Sequence, residues 1–123
     1  MTRNPVGWFE VYVDDMERAK VFYQTVLGVT LQNLPSPGIE MWAFPMEMES
    51  PGASGSLVHM EGFKAGSNST LVYFSTEDCA VEEARVEGAG GRIFKTKFSI
   101  GQYGFIALAN DTEGNMFGLH SLK

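Results

Sequence analysis

Glu10 and Tyr12 stand two residues apart in a stretch, Trp8 to Val13, whose character alternates. Strand geometry sends every second side chain to one face, so Trp8, Glu10 and Tyr12 share a side. A carboxylate beside a phenol is a candidate acid–base pair. Burial would raise the pKa of Glu10 toward that of a general base, with Tyr12 as its neighbouring donor. The competing reading is a rim carboxylate, or one hydrogen-bonded for structural reasons. His59 and His120 are the only two histidines. Together with Glu10 they would offer two imidazoles and a carboxylate, a set that suits several divalent ions. Both sit near the ends of short strand-like segments, where exposed or hydrogen-bonded histidine is commoner. Cys79 opens a helical stretch, which favours thiolate, but Glu77, Asp78, Glu82 and Glu83 around it oppose the charge. It reads as an ordinary helix residue. Gly88 to Gly91 follow a helix instead of opening one, so they make no phosphate cradle.

These groups need elements to hold them. Asp14 and Asp15 end the first strand and supply N-cap oxygens, and Asp14 with Glu17 has capping-box spacing. Met16, Ala19, Phe22, Tyr23, Val26 and Leu27 then recur as the apolar stripe of a helix, which Gly28 terminates. Strands are expected over 29–34, 40–46 and 55–60, and 62–69 is linker-like in composition. The pattern then restarts: strand at 71–76, Glu77-Asp78 cap, helix at 79–87, and strands at 92–98, 105–109 and 116–121. Asp15 and Asp78, Gly28 and Gly91, Gly38 and Gly101, and Gly55 and Gly118 all stand 63 residues apart. The expected organisation is a single domain over 1–123, built of two βαβββ modules at about 6–60 and 69–122.

Composition narrows the partners. The 123 residues are 44% hydrophobic, enough for one real core. A net charge of −6 argues against nucleic acid or an anionic membrane as partner. No apolar run approaches bilayer-spanning length, and the opening M-T-R-N-P has no apolar core of a signal segment. One cysteine permits no internal disulfide, which makes a cytoplasmic location the default expectation.

Three stretches carry a resemblance: V-D-D-M-E-R-A-K-V-F-Y with L-G, V-Y-F-S-T-E-D, and D-T-E-G-N. The chain resembles the vicinal-oxygen-chelate superfamily, which holds glyoxalase I, ring-cleaving dioxygenases and bleomycin-binding proteins. It looks most similar to a glyoxalase-related branch. The resemblance implies an α+β fold in which two βαβββ modules form a cup-shaped mixed sheet, with helices outside and a ligand cavity inside. It also implies a homodimer, and a divalent metal held by His, Gln or Glu from the first and last strands of each module. Carried onto this chain, those ligand positions fall on Trp8, Leu71, Gly118 and either Gly55 or Leu57. None offers a usable lone pair, so no metal and no other cofactor is expected.

Parity then suggests the lining of the cup: Trp8, Glu10 and Tyr12; Leu71, Tyr73 and Ser75; Gly55, Leu57 and His59; Met116, Gly118 and His120. Within it Trp8 and Trp42 are expected as apolar walls, and Tyr12 and Tyr73 as hydrogen-bond donors. Glu10 would favour a neutral or cationic ligand, with His59 and His120 nearby. The expected function is metal-independent binding of a small organic molecule. The alternatives are a lyase, isomerase or dioxygenase working through Glu10, Tyr12 or a histidine in a rearranged site, and an interaction module whose cup is filled by side chains.

Overall fold

The computed structural model describes residues 4–123; the first three residues of the opening segment lie outside the described part. The element order is β1 (Phe9–Tyr12), α1 (Met16–Leu27), β2 (Gln32–Asn33), β3 (Glu40–Ala43) and β4 (Gly55–His59), followed by β5 (Tyr73–Ser75), α2 (Cys79–Val86), β6 (Arg92–Ser99), β7 (Phe105–Asn110) and β8 (Met116–Ser121). The fold is α+β. Two four-stranded mixed sheets, ordered β1-β4-β3-β2 and β5-β8-β7-β6, repeat one topology without closing into a barrel. In each sheet the first strand lies at an edge, parallel to the last strand of its unit.

Helix α1 forms where its stripe predicts, and Met16, Ala19, Phe22, Tyr23 and Val26 are its buried residues. Its N-cap is Asp15, whose carboxylate accepts the Arg18 amide at 3.1 Å. Asp14 makes no capping box; its Oδ1 accepts the Ala65 amide from the inter-unit linker at 3.1 Å. Asp78, the repeat partner of Asp15, caps α2 by accepting the Ala80 amide. Gly28 ends α1 in the left-handed region at φ 67° and bonds back to the Gln24 carbonyl. After α2 the left-handed glycine is Gly90 instead of its neighbour Gly91.

The core is aromatic and shared by both units. Tyr23 of α1 meets Phe22, Phe44, Phe74 and Phe117, with ring centroids 5.0–5.8 Å apart. Phe9 joins from β1 against Phe44 and Phe74. Rings at such spacings contribute beyond the area they bury. The two helices also touch, and Arg85 of α2 donates to the Val26 carbonyl at 3.2 Å.

One register difference separates the units. Tyr73 pairs with Gly118 in the second sheet, which under the 63-residue offset corresponds to Glu10 with Gly55. In the first sheet Gly55 pairs instead with Phe9. A one-residue slip moves every side chain of a strand to the other face. Gly55 therefore lies beneath the Phe9 ring, whereas Gly118 lies beneath Tyr73. Leu57 joins the helix-side core and is fully buried. The expected grouping of Gly55, Leu57 and His59 with Glu10 and Tyr12 is thus corrected: they share a face with Phe9 and Val11.

Candidate functional site

The edge strands β1 and β5 are not paired with each other, and the space between the sheets there is a cleft of about 460 Å³. Phe9, Glu10, Val11 and Tyr12 line one side; Val72, Phe74, Met116 and Phe117 line the other. Tyr23 reaches it from α1, and the linker closes one side with Lys64, Gly66, Asn68, Ser69 and Thr70. Its volume falls in the range of small-molecule sites, about 300–1,000 Å³.

Glu10 is held between two donors on its own strand. The Tyr12 hydroxyl donates to Oε1 at 2.9 Å, and the Trp8 indole N–H approaches Oε2 at 3.4 Å. The hydrogen bond to Glu10 raises the Tyr12 pKa, and partial burial and the carboxylate's charge add to it. Tyr12 is thereby kept as a protonated donor, and its ring stacks on Phe63 at 5.5 Å. Glu10 retains acceptor capacity for a ligand's N–H or O–H. Lys64 adds a positive charge to the same lining, so the cleft carries both signs, unlike the purely anionic wall expected from Glu10 alone.

The turn Asp111–Asn115 builds the frame of this cleft. Asp111 Oδ1 accepts the amides of Glu113 and Asn115, each at 2.8 Å. Its Oδ2 accepts the Tyr23 hydroxyl at 2.6 Å and the Asn115 side-chain amide at 3.2 Å. Burial pushes the Asp111 pKa up, and burial with the adjacent carboxylate pushes Tyr23 well up. Glu113 crosses between the units: Oε1 accepts the Asp14 and Asp15 amides, and Arg18 reaches both its oxygens at 2.7 and 3.0 Å. Burial alone would raise the Glu113 pKa, but Arg18, the two amides and Thr112 outweigh it and hold it low. Asn115 donates to the Tyr12 carbonyl at 3.0 Å and accepts the Gly66 amide at 2.7 Å, which fixes β1 and the linker on either side.

Of the residues expected in the site, the cleft brings together Glu10 and Tyr12, with Trp8 beside them. Trp42 and His59 lie elsewhere, because the β1–β4 register turns their strands over. Trp42 packs toward the helices, with the Lys20 ammonium 3.2 Å from its ring centre. His59 Nδ1 donates to the Val13 carbonyl at 2.9 Å; an acceptor-only carbonyl requires the proton on that nitrogen. His120 Nε2 likewise donates to the Tyr103 carbonyl at 2.7 Å. Tyr73 covers Gly118 and does not line the cleft.

Lys64, Asn68, Tyr23 and Phe74 line the cleft without having been expected there. Asn68 sits in a segment with linker composition, yet it acts as a strand mimic. Its side chain donates to the Met116 carbonyl at 2.9 Å and accepts the Met116 amide at 3.2 Å. Composition carries no signal for that. Tyr23 and Phe74 gave the pattern of core residues, which they also are.

The positions implied for a metal do not fit one. The Trp8 indole nitrogen only donates, Leu57 is in the core, and Gly55 and Gly118 lie under aromatic rings. Among the described residues, no group of three His, Cys, Asp or Glu side chains is placed to hold an ion.

Residues 6–41 match the family model of the bleomycin resistance protein-like N-terminal domain. No curated protein matches the chain significantly. Among solved structures, glyoxalase I from Zea mays is similar with a TM-score of 0.75 and 22% identity, covering 95% of this chain and 46% of that one. This chain thus spans about half the length of the maize enzyme. The antibiotic binding protein TnmS3 from Streptomyces sp. CB03234 is 28% identical with a TM-score of 0.69, over 100% of this chain and 99% of that one. A glyoxalase/bleomycin resistance protein/dioxygenase family enzyme from Burkholderia phytofirmans PsJN is 16% identical with a TM-score of 0.68, over 95% and 98%. Residues 6–41 thus resemble the bleomycin resistance protein-like N-terminal domain, and the chain shares the fold of these glyoxalase- and bleomycin-resistance-type structures. No helix is long and apolar enough to cross a membrane among the described residues.

Proposed function

We propose that the chain binds a small organic molecule in the cleft between β1 and β5, and does so without a divalent metal. The observation that carries this reading is the cleft's make-up: a floor of Tyr23, Phe74 and Phe117 with the Glu10–Tyr12 pair on its wall. Apolar surface with a few fixed polar groups is what orients a small molecule. The fitting ligand has an apolar or aromatic body, a donor for Glu10, and an acceptor on the side of Lys64. Glu10 disfavours a purely polyanionic ligand, whose charges would meet its carboxylate on one wall. The similarity to an antibiotic-binding protein of the same length supports sequestration over turnover. A homodimer belongs to the same proposal. Trp8, Leu71 and Tyr73 are 38%, 39% and 46% exposed, a set of large side chains that a second copy would cover.

The test is a screen of one- and two-ring organic fragments by equilibrium dialysis, with wild type compared against Ser69→Trp. Position 69 is exposed and lines the cleft, so an indole there fills it without disturbing the core. Fragments should bind wild type and lose at least tenfold in affinity for Ser69→Trp at unchanged melting temperature. Undiminished binding to the variant would remove the cleft from consideration.

A further inference from the structure

A second cavity, of about 290 Å³, lies at the other end of the inter-sheet seam, bounded by the end of α1, the loop after β3 and the first turn of α2. Its walls include the rings of Phe9, Phe44 and Phe74, which form a triangle with centroids 5.5–5.9 Å apart. Among the described residues, its only charged lining residues are Glu47 and Glu82, and no lysine or arginine lines it. Glu82 Oε1 is shielded from solvent and has no hydrogen-bond partner among the described residues. Its neighbour shows what satisfaction looks like: Glu83 Oε1 accepts the Lys97 amide at 2.6 Å, and the Lys97 ammonium is taken by Asp78 at 2.9 Å. A buried carboxylate oxygen without a donor is costly, so its persistence calls for a donor from outside the chain.

We propose that this cavity binds a small organic ammonium ion, whose N–H donates to Glu82 Oε1 while its apolar body lies against the three phenyl rings. Each part of the lining selects for that class. An ionised carboxylate accepts and cannot donate, which excludes ligands that offer only acceptors. Aromatic faces attract cations, and two carboxylates with no balancing base repel anions. The volume lies at the small end of the ligand-site range, about 300–1,000 Å³, which suits a one-ring amine. This site shares Phe9 and Phe74 with the β1–β5 cleft and is otherwise lined by different residues, and its charges have one sign where that cleft has both.

The experiment is calorimetric titration of the full chain with benzylammonium chloride, benzyl alcohol and sodium benzoate at low salt. Amide spectra of the same samples locate the site. At this cavity benzylammonium should bind at least tenfold more tightly than benzyl alcohol, its perturbed amides should include those of Ser54 and Thr76, and benzoate should leave those amides unperturbed. Glu82→Gln should abolish the preference for the ammonium, whereas Glu10→Gln in the other cleft should leave it intact. Ser50→Trp, which fills the cavity from its loop, should weaken both ligands alike. Equal affinity for amine and alcohol, no binding of the amine, a preference retained in Glu82→Gln, or unchanged affinity in Ser50→Trp would each overturn the proposal.

Discussion

Tyr12 donates to Glu10 while the Asn115 side chain holds the Tyr12 carbonyl, so the pair faces the cleft in a fixed orientation. Its spacing was legible in the sequence, since two residues on one strand face must be neighbours. Its frame was not. Glu113 lies about 100 residues from the Asp14 and Asp15 amides it accepts, and nothing local in D-T-E-G-N announces that contact. Replacing Glu113 with Ala leaves both amides without a partner and should cost about 1–3 kcal/mol in urea unfolding. The pH dependence has a definite sign. The folded pKa of Glu113 lies below its ordinary 4.5, so its contribution is full above that pH and is lost as pH falls through the lower folded value. Asp111 acts oppositely: its folded pKa is raised above 3.8, so its contribution is full below that and declines as pH rises past it. Glu113→Gln should therefore flatten the loss of melting temperature below pH 4.5. An acid limb as steep as that of wild type would contradict this assignment.

At the scale of elements, order and type follow from patterns the sequence displays openly. The α1 stripe has helical period, Asp15 and Asp78 are N-caps in both units, and Gly28 and Gly38 take the positive φ their turns require. Register does not follow, because strand parity says which residues share a face and not which face meets the helices. Repeat symmetry suggested one register for both parallel pairs, and the Phe9–Gly55 pairing departs from it by one residue. That slip put Trp42 and His59 on the wrong side of the expected site. It also makes Gly55 a sensitive position, since a Cβ there would stand 2.2 Å from the Phe9 carbonyl oxygen. Gly55→Ala should cost about 1–3 kcal/mol through forced backbone shifts. Phe22, fully buried against Tyr23 and Phe117, should cost about 3–5 kcal/mol on truncation to Ala. Chemical denaturation checks both; losses under about 0.5 kcal/mol at either position would mean the packing is wrongly assigned.

At the scale of the molecule, two units share one aromatic core and leave a seam between their sheets, with a cavity at each end. The seam explains why residues of both parities on β1 line the cleft: an unpaired edge strand exposes both its faces and its backbone there. It also explains how Lys64 and Asn68 of the linker become walls, since the chain must cross the seam to pass from one unit to the next. The proposed ligand of this chain is a small organic molecule held at the β1–β5 end without a metal. The most direct test is an amide-resolved NMR titration of the full chain with a one-ring or two-ring fragment hit, repeated with excess EDTA. Shifts are expected at Tyr12, Gly66, Thr70 and Met116, with the same affinity whether or not the chelator is present. Shifts that vanish in EDTA, or that bypass these four amides, would contradict it.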